Sequence, residues 1–319
     1  MGRVTEEPAT CPRCGADRVE GPECPRCGVI YARARPRAAP ELGARPGPGA
    51  AGAGPALWEG ERDDARRELL VRTVAPPAAL LLAWALTSAP ALRALVRTFL
   101  SMWVHEAGHA VTAWLCGFGA FPGPWRTLVS ASRQPLVVVA LAAGLLWLSW
   151  RGRRSGRPAL VAAGVAGLAA QLVCTLLPAG AARAFITFGG DAGCMVLGAA
   201  LTATLWTAPD GPLGRGGLRW GLAAIGACSL VDALHTWIRG WRDHGEIPLG
   251  EIEGTGLSDA STLWQVHGWS LDGMAGRYVA LGTACLAVLL ALWVVALLRA
   301  RPRAAAAGGA AGGLRRGRR

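Results

Sequence analysis

The sequence predicts an all-α, polytopic membrane helix bundle of six or seven spans, preceded by a small cysteine-bearing module. Three observations predict it. Of 319 residues, 52% are hydrophobic and only 17% charged, where an average globular protein carries about 25% charged residues. Seven apolar runs follow one another from residue 74 to residue 298, several reaching the roughly 20 residues a helix needs to cross hydrocarbon. Four of the nine cysteines stand in the first 27 residues, in two copies of one short motif.

Residues 1–31 are polar and hold those four cysteines, and 32–72 form an Ala/Pro/Gly/Arg-rich flexible linker and a charged juxtamembrane segment. No apolar stretch follows a basic start in this region, so no cleaved secretory signal is expected and the N-terminus is placed in the cytosol. The apolar runs are 74–89, 99–118, 135–150, 158–177, 184–208, 218–238 and 278–298, which make 73–298 the membrane domain. Two are short: 74–89, which contains Pro76 and Pro77, and 135–150. Trp125, Trp150, Trp206, Trp220, Trp237 and Trp241 stand at run ends, where interfacial tryptophans concentrate.

The formal net charge is +12, and none of the 33 basic residues is lysine. Arg151, Arg153, Arg154 and Arg157 lie between two runs, Arg215 and Arg219 between two others, and the tail 299–319 is basic without an acid. By the positive-inside rule all of these face the cytosol. The segment 239–272, with Asp243, Glu246, Glu251, Glu253 and Asp259, falls on the opposite side. Arginine placed this way is topology and headgroup anchoring, and nucleic acid is not expected as a partner. A cytosolic N-terminus with seven full spans would leave the C-terminus outside. A re-entrant 74–89 or an external N-terminus restores the parity, and the first is preferred.

Cys11-Pro-Arg-Cys14-Gly and Cys24-Pro-Arg-Cys27-Gly are two copies of one knuckle. Each Cys-x-x-Cys turn aims two thiolates at one ion, and two turns complete the tetrahedral sulfur cage of structural zinc. The pair resembles a short zinc ribbon of the kind found on many bacterial proteins. A closed four-sulfur site is structural, so such a module binds a protein partner or regulates and does not catalyse.

His105-Glu106-Ala107-Gly108-His109 is an HExxH motif inside the run 99–118. On a helix, residues i and i+4 share a face, so both imidazoles can hold one zinc while Glu106 stands beside it as a general base. Charged groups in a bilayer cost a few kcal/mol each on insertion scales and are rarely placed there without a purpose. HEAGH in a transmembrane helix resembles the intramembrane zinc metalloproteases of the site-2 protease class. That resemblance implies a membrane-protein substrate, location in a bacterial inner membrane, and an aspartate from a later helix as third ligand, usually in a Leu-Asp-Gly motif. Three aspartates are candidates. Asp191 lies among glycines in 188–193, at a depth matching His105 and His109. Asp232 shares a helix face with His235, and Asp272 stands in the literal Leu-Asp-Gly tripeptide just before the last run. Membrane depth ranks Asp191 first, with Asp232 as alternative ligand or support to a ligating histidine, then Asp272.

His244 and His267 read as ordinary loop histidines, 250–256 as turns over a site mouth, and Cys116, Cys174, Cys194, Cys228 and Cys285 as small packed hydrophobes. The expected function is therefore a zinc-dependent intramembrane endopeptidase with one catalytic and one structural zinc. The alternative is a non-catalytic membrane zinc protein acting as a binding or scaffold module. A diiron membrane oxygenase is set aside, because such enzymes need histidines in several boxes and the chain has five, with only one pair properly spaced.

Overall fold

The computed structural model describes residues 10–11, 16–17, 19–31, 59–209, 211–214, 217–252 and 256–316. Cys14, the linker 32–58, Arg215 and Glu253 lie outside the described residues. The chain divides into two compact units, Met1–Trp58 and Glu59–Arg319.

In the first unit the two knuckles repeat the same backbone pattern. Cys11 N–H donates to the Ala16 carbonyl at 2.7 Å and Cys24 N–H to the Val29 carbonyl at 3.0 Å. Each turn is closed by one antiparallel bridge, Thr10 with Asp17 and Glu23 with Ile30.

The second unit is helical, and six of its helices are long and apolar enough to cross a membrane: Arg66–Ser88, Pro135–Arg154, Pro158–Leu176, Ala179–Trp206, Leu218–Arg242 and Leu271–Arg299. The elements in order are α1 (Glu59–Ser88), α2 (Pro90–Val96), a π turn (Arg97–Ser101), α3 (Met102–Leu115), β1 (Phe118–Pro122), β2 (Thr127–Arg133), α4 (Pro135–Arg154), α5 (Pro158–Leu176) and α6 (Ala179–Thr202). Then follow α7 (Leu218–Arg242), β3 (Glu251–Ile252), β4 (Gly256–Leu257), α8 (Asp259–Ser261), a second π turn (Thr262–Val266) and α9 (Leu271–Arg316). The central helices are α6 and α7, whose apolar windows are mostly buried, whereas α4 and α5 keep nearly all of their surface outward. The main core joins Met195 and Ala199 of α6, Leu230, Leu234 and Trp237 of α7, and Met274 and Tyr278 of α9.

The run 74–89, expected to re-enter, is instead the second half of a continuous α1. Pro76 and Pro77 lack the N–H groups that would pair the carbonyls four residues back, a defect that breaks most helices. Here those two carbonyls have other donors. Trp206 Nε1 donates to the Arg72 carbonyl at 3.1 Å, and Trp293 Nε1 to the Thr73 carbonyl at 2.7 Å. Two indoles from neighbouring segments supply what two prolines remove, as a lipid environment without water requires.

The run 99–118 differs too. It ends in β1, and its helical part closes one rod that continues without a break from Pro90 to Leu115 through α2, the π turn and the 14-residue α3. α3 packs on α6, and their contact is close because glycines face one another. A Cβ added at Gly108 would lie 2.7 Å from the Gly193 Cα and 3.0 Å from the Gly190 carbonyl. After α3 the chain turns through β1 and β2, an antiparallel hairpin that the apolar runs did not announce.

Candidate metal centre

The helical spacing of His105 and His109 places both rings on the α6 face of α3. His109 Nδ1 lies 2.7 Å from the Ile186 carbonyl, which can only accept, so Nδ1 carries the hydrogen. His105 Nδ1 lies 3.0 Å from Asp191 Oδ1 and donates to that carboxylate. In the neutral rings both Nε2 atoms are then left with lone pairs, and these face each other at 3.2 Å. Asp259 Oδ2 completes the triangle, 3.0 Å from His105 Nε2 and 3.0 Å from His109 Nε2. Three acceptors this close are satisfied by a proton on one of the rings or by a metal cation between them. Nitrogen and oxygen ligands about 2.0–2.1 Å from a tetrahedral ion lie about 3.3 Å from one another, close to the separations here.

A second feature leaves room for an ion. A Cβ on Gly190 would lie 2.6 Å from each Nε2, so the absent side chain leaves open the space beside the three donors. His105, His109 and Asp259 could therefore hold a metal ion. Asp259 opens α8, whose N-terminus is capped by Ser258 accepting from Ser261 N–H at 3.2 Å. The buried Ala260 and Leu263 anchor this loop segment against the core.

The three aspartates expected from sequence take other places. Asp191, ranked first, stands behind His105 against Nδ1, on the side away from His109 and Asp259. Its Oδ2 accepts from Trp237 Nε1 at 2.7 Å, and its Oδ1 pairs with Arg97 Nη2 at 3.0 Å. With His105 and Cys194 it forms a second close donor group. Asp232 is almost fully buried and pairs with Arg97 Nη1 at 3.2 Å and Arg93 Nε at 3.5 Å, so Arg97 bridges two buried carboxylates. The π turn that opens at Arg97 is the kind of helix irregularity that gathers at functional sites. Asp272 is exposed and pairs with His244 at 2.9 Å, so the literal tripeptide is not at the site. Asp232 is within charge range of His235, but among the described residues His235 Nδ1 has no hydrogen-bond partner.

Glu106 is buried, with Oε2 2.7 Å from Thr127 Oγ1. The same hydroxyl lies 2.8 Å from the Glu106 carbonyl. The start of β2 thus holds the carboxylate of the HExxH helix in place. Behind Asp191 a stack of rings closes the site: Trp237 on Tyr278 at 4.0 Å and Tyr278 on Phe188 at 4.2 Å.

In the N-terminal unit, Cys11, Cys24 and Cys27 present their sulfurs as a second group able to hold a metal, with Cys11 and Cys27 sulfurs 3.7 Å apart. The Arg26 backbone N–H, helped by Cys27 N–H and the neighbouring thiols, pulls the Cys24 thiol down to about 6 against the opposing effect of burial. That shift favours the thiolate, the form that binds metal.

No family model, no curated protein and no solved structure matches the chain.

Proposed function

We propose that the chain is a zinc-dependent intramembrane endopeptidase of the site-2 protease class, hydrolysing a peptide bond in or near a transmembrane segment of another membrane protein. The single observation that carries this reading is the convergence of His105 Nε2, His109 Nε2 and Asp259 Oδ2 beside the HExxH glutamate. In this reading Asp259, not Asp191, is the third ligand, and Asp191 orients His105. A zinc ion held by these three residues supplies Lewis acidity for a scissile carbonyl and makes water a better nucleophile at neutral pH. Glu106, beside the donors and fixed by Thr127, takes the proton of the attacking water and delivers it to the leaving nitrogen. Asp191, Trp237 and the Ile186 carbonyl keep both imidazoles in the tautomer that offers Nε2. Cys11, Cys14, Cys24 and Cys27 hold a structural zinc in a cytosolic ribbon that selects a protein partner, and the basic tail lies on the same side.

The test compares cells expressing wild type and Glu106→Gln by mapping new protein N-termini in the membrane fraction. The expected result is a set of termini in or next to transmembrane segments, present with wild type and absent with the variant, while both proteins retain the same metal. Identical sets of termini would sink the peptidase reading and leave a binding or scaffold role.

A further inference from the structure

The connection between α4 and α5 is a concentration of positive charge with no counter-charge nearby. Arg151, Arg153 and Arg154 occupy the last turn of α4, Arg157 precedes Pro158 at the start of α5, and no Asp or Glu occurs anywhere from residue 134 to residue 190. Among the described residues none of these four arginines makes an ion pair. They contrast with Arg239, which pairs with Glu246 at 2.7 Å, and Arg219, which pairs with Glu68 at 2.9 Å.

The cluster is shaped as well as charged. Trp150, Arg151, Arg154, Ser155 and Arg157 line an open cavity of about 330 Å³, at the small end of the roughly 300–1,000 Å³ of ligand sites. Two of the guanidinium groups are supported by indole faces. The Arg154 Cζ stands 4.5 Å from the Trp150 ring and the Arg151 Cζ 5.4 Å from the Trp147 ring. Such stacking holds a guanidinium in a fixed orientation and leaves its N–H fork free for an oxyanion. The Ser155 hydroxyl is turned inward to the Arg151 carbonyl at 2.8 Å, which tightens the turn.

Position fixes the ligand class. α4 and α5 are both long and apolar enough to cross the membrane, so the turn joining them emerges at headgroup level, where tryptophan and arginine anchor. We propose that this pocket binds the phosphodiester headgroup of an anionic glycerophospholipid of the phosphatidylglycerol or cardiolipin type. Phosphate oxygens accept from Arg151, Arg154 and Arg157, and the acyl chains follow the outward apolar faces of α4 and α5. A free phosphate would meet the same guanidinium groups but would gain nothing from the adjoining indoles and helix faces. The inference does not depend on the peptidase reading.

The full chain is purified in detergent, delipidated and titrated with phosphatidylglycerol, phosphatidylcholine, glycerol phosphate and inorganic phosphate, with bound lipid counted by native mass spectrometry. Wild type is expected to retain phosphatidylglycerol in preference to phosphatidylcholine, with neither soluble phosphate displacing it. Replacing Arg151, Arg154 and Arg157 by Gln should weaken that binding by about tenfold to a hundredfold. Removing the same charge at the exposed Arg66, Arg67 and Arg242 should change it little. Equal retention of the two lipids by wild type, displacement by free phosphate, or equal loss in the two triple variants would each overturn the proposal. The wild-type comparison stands even where a variant fails to fold.

Discussion

At the scale of single residues, the site is built from what is missing as much as from what is present. Gly190 is the clearest case. Its α carbon faces two imidazole nitrogens, and a methyl group there would lie 2.6 Å from each. Gly190→Ala is therefore expected to displace both rings and abolish metal binding at this site while α6 remains helical. Metal analysis alongside circular dichroism checks this, and a variant that keeps its full metal content would contradict the placement of the donors. His105, Glu106 and His109 were legible from sequence because their chemistry rests on one helix turn, a local regularity. The nearness of Asp259 to the two Nε2 atoms was not, because the search for an acid was confined to aspartates in an apolar run or in the Leu-Asp-Gly tripeptide. The Asp259 carboxylate reaches the site by way of a loop that folds back between α7 and α9. The available signal was Ser258, a strong helix N-cap, set just before Asp259 and followed by the apolar Leu263, Trp264 and Val266 in an otherwise polar segment.

At the scale of elements, α1 shows how tertiary contacts overrule a local rule. Two consecutive prolines in an apolar run argue for a break, and nothing within the run says otherwise. The donors that keep the helix intact, Trp206 and Trp293, lie far along the chain, so the sequence pattern could not announce them. Those indole bonds should count only while the prolines are present. Trp293→Phe leaves the Thr73 carbonyl unpaired and should cost about 1–3 kcal/mol. In a Pro77→Ala background that carbonyl regains a backbone donor, and the same change should become nearly neutral. Thermal or denaturant unfolding of the four proteins in detergent measures the coupling, and strictly additive effects would show that the indole bond carries no weight. The β1 and β2 hairpin was illegible for a different reason: its strands are short and only partly buried, and they lack the clean apolar alternation that identifies a half-buried strand. Yet it matters to the site, since Thr127 at its edge holds Glu106.

At the scale of the whole molecule, the membrane character and the number of long apolar helices followed from composition and run length, while the arrangement of buried charge did not. Arg97 bridging Asp191 and Asp232 links three segments, α6, α7 and the π turn before α3, that only the fold brings together. This network explains why acids stand in an otherwise apolar background without all of them being ligands. Among the described residues six helices are long and apolar enough to cross a membrane, the lower of the two numbers expected from the apolar runs. On this account the chain holds two zinc ions, one in the ribbon and one at the His105, His109 and Asp259 triad. The measurement that tests this most directly is zinc per chain in the purified full-length protein and in its Asp259→Ala and Asp191→Ala variants. Wild type should carry two ions and Asp259→Ala one. Asp191→Ala should keep two at saturating zinc, with affinity at the membrane site lowered by about 10- to 100-fold, as expected for loss of a group that orients a ligand. Two ions retained by Asp259→Ala, with one lost from Asp191→Ala, would contradict the account and return the third ligand to α6.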